Sequence, residues 1–235
     1  MKQVNGIITS FSRINSSPDE ALYECILENE LALLDKTRKS AVYLNISVPE
    51  LVKKVMLEHK QIQSYKIDFD KLRSTYPSRA MTIQWQETDL QFIMRLLSEV
   101  GIWFHFANHP KIMTETLILF SDSGTGYQFS DKQIPFVRNS GMTNEQEYVT
   151  DLREFYNVVS DAVKTRNYNY RSSSSPQAGQ SVYVHDVSEK IRAGQDYFYG
   201  DNQLTAGDHY GTEGETASFF ARVRHENLLN RQSIF

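Results

Sequence analysis

The sequence predicts an α+β protein built mainly from antiparallel strands. Three observations carry that expectation. Thirteen tyrosines and thirteen phenylalanines stand against two tryptophans and eleven glycines, a bias that suits strands. Several stretches alternate in side-chain character with the period of two expected of strands. Two others place apolar residues at helical spacing behind legible N-terminal caps.

Bulk properties narrow the class. A length of 235 residues fits one large domain or two small ones. With 40% hydrophobic and 23% charged residues, the chain is of ordinary globular composition. A formal net charge of −4 makes it a poor non-specific nucleic-acid binder. Its single cysteine, Cys25, excludes an internal disulfide and a multi-cysteine zinc site within one chain. No apolar run approaches the roughly 20 residues of a membrane span, so no membrane anchor is expected. Residues 1–6 (MKQVNG) lack a signal-peptide core. The expectation is a soluble protein made in a reducing compartment.

Taken in order, residues 4–11 (VNGIITSF) and 21–27 (ALYECIL) read as two strands of a hairpin with a long loop, marked by the turn cluster Ser16-Ser17-Pro18-Asp19. Residues 46–59 read as a helix. Ser47 is its N-cap, Glu50 completes a capping box, and Ile46 and Leu51 form a hydrophobic staple. Leu51, Val52, Val55 and Met56 make its apolar stripe. Residues 80–86 (AMTIQWQ) alternate as a strand, with Met81, Ile83 and Trp85 on one face and Thr82 and Gln84 on the other. Thr88 then caps a second helix, with Gln91 three positions on. Leu90, Ile93, Met94 and Leu97 are its expected buried stripe, widened by Leu96 and Val100. Gly101 stands where a left-handed stop belongs. Residues 102–107 (IWFHFA) and 116–120 (TLILF) pair as a hairpin across Asn108-His109-Pro110.

The second half is less regular. Residues 146–159 and 162–170 read as strands, and residues 171–180 (RSSSSPQAGQ) as a polar loop. Tyr197-Phe198-Tyr199 is aromatic but short. Residues 215–231 read as a helix entered through an acidic turn of Glu213 and Glu215 that suits its dipole, with Arg222 and Arg224 further along.

Catalytic and metal motifs do not emerge. His105 and His109 are four apart, but one lies in a strand and the other at a turn, so they do not share a face. His185-Asp186 and Asp208-His209 are neighbours that point to opposite sides of a strand. Ser123-Gly124-Thr125-Gly126 lacks the Lys-Ser/Thr ending of a phosphate loop and reads as a turn. Cys25 reads as a small core residue. Glu87 and Asp89 flank the cap of the second helix, and Glu99 is placed for an ion pair with Arg95. Paired acids could also serve glycoside hydrolysis, but nothing else in the chain supports it. No catalytic, cofactor-binding or metal-binding residue is assigned.

One segment carries a resemblance. Residues 83–106 resemble the QY-x-E-(S/T)-D-x-x-F-x-x-R-L-x-E-E-G-I-x-Y-x-F stretch of VgrG proteins, the spike proteins of type VI secretion systems related to phage tail hubs. Gln84, Glu87, Asp89, Phe92, Arg95, Leu96, Glu99, Gly101, Ile102 and Phe106 fall in register without a gap. Residues 5–11, 23–34 and 43–56 are similar to the strands and helix entry that precede this stretch in the family, although Asn29 stands where proline is usual. Residues 214–228 resemble its C-terminal helix.

The resemblance implies phage-tail-hub-like β-barrels with a helix-bearing side module, and a structural role. Residues 1–39 would be a remnant of the first hub barrel and 40–121 the side module. Residues 122–235 would be the second barrel, with an excursion near 171–208. Family chains carry further residues at both ends, so the barrels are expected to be incomplete, the second lacking its last strands. Family members form homotrimers whose paired barrels make a pseudo-sixfold ring on the hexameric tube of haemolysin-coregulated protein. Baseplate and effector proteins are the other implied partners. The chain would be made in the cytoplasm and exported through the type VI apparatus without a signal peptide. A phage-derived tail enzyme degrading cell wall or glycan, and a carbohydrate-binding β-domain using Tyr168, Tyr170, Tyr183, Tyr197 and Tyr199, are the alternative readings.

Overall fold

A computed structural model describes residues 4–127, 133–137, 148–149, 151–168, 177–182, 194–200, 205–207, 211–231 and 233–234. The chain divides into two compact units, Met1–Gly126 and Tyr127–Phe235. Both tryptophans, Trp85 and Trp103, belong to the first.

In the first unit, Ile7–Ser16 (β1) and Ala21–Glu28 (β2) form an antiparallel hairpin. The connection is tighter than expected, because β1 runs through to Ser16. The Ser17 N–H donates to the Glu20 carbonyl at 2.7 Å, and the Ser17 hydroxyl accepts from the Glu20 N–H at 3.0 Å. Register shifts between Ile8 and Ser10 and between Arg13 and Asn15 mark bulges that bend the ribbon. Every residue of β2 is exposed. Cys25 is therefore an exposed free thiol and not the core residue its strand pattern implied. A two-stranded ribbon has no second layer to bury it.

A 3-10 turn, Glu30–Asp35, follows, capped by Asn29, whose side chain accepts from the Leu31 N–H. Arg38–Ile46 (β3) then leads into the first helix, Val48–Leu57 (α1). The Glu50 carboxylate accepts from the Ser47 N–H at 3.2 Å and from its hydroxyl at 2.7 Å. Leu51, Val52, Val55 and Met56 are fully buried, as the spacing predicts. Ile67–Lys71 (β4) comes next, introduced by the buried Lys66, whose ammonium meets Glu30 at 2.9 Å.

Arg79–Thr88 (β5) pairs antiparallel with β3, and Asp89–Glu99 (α2) starts directly from it. Thr88 caps α2 by accepting from the Gln91 N–H at 3.1 Å. The helix stops as expected: Gly101 sits at φ 65°, and the Ile102 N–H reaches back to the Leu97 carbonyl at 3.0 Å. The buried face is rotated from the expected one. Phe92, Ile93, Leu96, Leu97 and Val100 line it, whereas Leu90 is half-buried and Met94 exposed. Phe92 takes the deepest place because its ring stacks on Tyr43 of β3 at 5.6 Å.

The β5 alternation holds, but its sidedness reverses the usual one. Thr82 and Gln84 turn inward toward the helices, and Gln84 is fully buried. Met81, Ile83 and Trp85 turn to solvent, Trp85 at 69% exposure. Trp103–Asn108 (β6) and Thr116–Ser121 (β7) form the expected hairpin, and β4 joins β7 in parallel to give the order β4-β7-β6. Phe69, Phe104 and Phe120 pack together within it, with Phe69 and Phe120 stacked at 4.2 Å. Residues 124–126 form a 3-10 turn, as read, with Gly126 against Trp103 and Ser121, where a Cβ would clash.

In the second unit, Ala162–Asn167 (β9) is the central strand of three and follows a short Phe155–Tyr156 strand (β8). Gln177–Val182 (β10) pairs with β9 antiparallel, and Gln195–Tyr199 (β11) pairs with it in parallel. Residues 177–180, read as loop from composition, are thus strand, because β9 offers them a ladder. Ala217–Asn230 (α3) is capped by Thr216 and covers this sheet, with Thr165 Oγ1 donating to the Ala217 carbonyl at 2.9 Å. Glu215 lies just outside α3, at φ 60°. Ser233–Ile234 (β12) pairs with β8. The readings on residues 128–132, 146–147, 169–176, His185-Asp186, Tyr183 and Asp208-His209 lie outside the described residues.

The architecture is α+β with mostly antiparallel strands, and no sheet among the described residues closes into a barrel.

Candidate functional site

The motif residues gather where α2 leaves β5. Gln84 reaches inward from the strand, and its amide donates to Asp89 Oδ1 at 2.9 Å and to the Glu87 carbonyl at 3.2 Å. Its oxygen accepts from the Tyr43 hydroxyl at 3.4 Å. Asp89, the first helical residue, also meets Lys39 Nζ at 3.0 Å and His59 Nε2 at 2.8 Å. Lys39 goes on to Glu58 at 2.7 Å. Asp89 is 5% exposed, so it is more than the surface helix-cap charge that its position suggests. Burial pushes its carboxyl up, but the Gln84, His59 and Lys39 bonds outweigh that and hold it below the usual aspartate value. Burial likewise pulls Lys39 down, and Glu58 and Asp89 together hold it above the ordinary lysine value.

A second network lies on the outer side of α2. Arg95 grips Glu87 with two parallel bonds, Nε to Oε1 at 2.8 Å and Nη2 to Oε2 at 2.9 Å. Arg95 Nη1 meets Glu99 at 3.0 Å, the expected ion pair, and Nη2 donates to the Ile83 carbonyl at 3.0 Å. Arg79, at the start of β5, holds the other Glu99 oxygen at 2.8 Å. The Glu87 bonds, ahead of burial, raise the Arg95 guanidinium above its usual value. Gln86 makes this geometry possible. It takes φ 50° at an irregularity in the β3–β5 register and turns Glu87 toward the helix. Its N–H donates to Ser40 Oγ at 3.1 Å.

The structure thus brings Gln84 and Asp89 into one network and Glu87, Arg95 and Glu99 into another. Phe92 and Leu96 lie in the core beneath, and Gly101 ends the helix. Asp35, Lys39, Tyr43, Glu58, His59 and Arg79 were not singled out from the sequence. Their partners lie 19 to 53 positions away, so no local spacing points to them; the shared parity of Gln84 with Thr82 is the one available hint. Thr88 adds a further tie, donating to Asp35 Oδ1 at 2.6 Å. Every ionic group of the motif is spent on holding α2 against the β3–β5 ribbon. His105 lies in β6, stacked on Trp103, and His109 accepts from the Lys111 and Ile112 N–H groups in its turn. Among the described residues no cluster of three metal-ligating side chains forms.

The family described as phage tail baseplate hub (GPD) matches residues 2–235. The chain belongs to the phage tail baseplate hub family. Among curated relatives, this hub-family chain is 27% identical over 183 residues to the type VI secretion system spike protein VgrG5 of Pseudomonas aeruginosa, covering 75% of this chain and 23% of the relative. It is 25% identical over 171 residues to the spike protein VgrG3 of Vibrio cholerae, covering 73% and 16%. The hub-family chain thus spans about a quarter or less of the length of these relatives. A solved structure, the E. coli c3393 protein, covers 97% of this chain with a TM-score of 0.56 and 29% identity; the chain covers 44% of it. That protein is described as a component of the type VI secretion system with structural similarity to the T4 bacteriophage tail proteins gp27 and gp5. In the hub-family chain, no helix among the described residues is long and apolar enough to cross a membrane.

Proposed function

We propose that this chain is a structural hub segment of a type VI secretion spike, adapting a trimeric spike to a hexameric tube for contractile puncture and effector delivery. The observation that carries this reading is the hub-family match across residues 2–235. The self-contained motif supports it, since its charged groups bond one another and serve packing instead of turnover. In this reading residues 1–39 belong to the first hub barrel, 40–121 to the side module and 122–235 to the second barrel. The partners are two further copies, the tube protein, baseplate proteins and effectors, and the chain leaves the cytoplasm through the apparatus itself. The reading assigns no catalytic residue.

Light scattering coupled to size exclusion, across a range of concentrations and with purified tube hexamer added, tests it. A concentration-independent trimer that co-elutes with the hexamer is the expected result. A monomer that never co-elutes removes the adaptor role from this chain.

A further inference from the structure

We draw no further inference here: the strongest candidate, the face of the β10-β9-β11 sheet on which Lys164 pairs with Tyr197 and Arg166 with Tyr199 and both tyrosines are exposed, carries none, because nothing in the structure shows what covers it.

Discussion

A buried carboxylate such as Asp89 keeps its charge only while its neighbours replace the water it lost. Gln84, His59 and Lys39 do so here. Because its folded pKa lies below its unfolded value near 3.8, the ionised group contributes stability fully above that value, and the contribution is lost as pH falls through the folded pKa. Asp89→Asn is expected to cost about 1–3 kcal/mol at neutral pH. In urea titrations the gap to the unmodified chain should narrow below about pH 4; a gap unchanged in acid would show that the charge is not what matters. Asp122 adds to the same acid limb. Burial raises its carboxyl, but the Arg73 and Ser74 N–H groups and the Tyr76 hydroxyl outweigh burial and lower it. Lys39 behaves oppositely: its contribution is complete below about 10.5 and is lost only as pH rises through its elevated folded value. These partners were not legible from sequence, because Lys39, His59 and Asp89 come together only after β3, α1 and α2 have packed.

At the scale of elements, the legible features were those closed within a few residues. The Ser47 and Thr88 capping boxes, the Gly101 stop and the β6–β7 hairpin need only local sequence, and each forms where its residues predict. Sidedness was less legible. Apolar spacing puts Met94 in the α2 stripe and passes over Phe92, because it cannot tell that a ring from β3 awaits Phe92. The alternation of β5 gave two faces without saying that the polar one lies inside. Residues 177–180 read as loop because their strand depends on β9. Thr88 both caps α2 and bonds Asp35, so Thr88→Ala should lower stability by about 1–2 kcal/mol. Thr88→Ser, which keeps the hydroxyl, should recover most of it in the same thermal or urea unfolding measurement. Equal losses in the two variants would mean that the methyl group, not the cap, is the source.

For the molecule as a whole, the family was legible because its motif encodes a strand, a cap, a helix and a stop in an unbroken run. The strand order of the second unit was not, since β10 and β11 reach β9 from opposite sides across intervening chain. Both tryptophans lie in the first unit, Trp85 bare on the ribbon and Trp103 half-buried against Gly126. Tryptophan fluorescence, excited beyond the tyrosine band, therefore reports on one unit alone, while far-ultraviolet circular dichroism sums over both. If the units melt separately, the two optical transitions will not coincide in urea; a single shared midpoint would show that they unfold together. Trp85 emission should also shift toward the blue when its face is covered. The exposed β3–β5 face thus carries its own dye in Trp85.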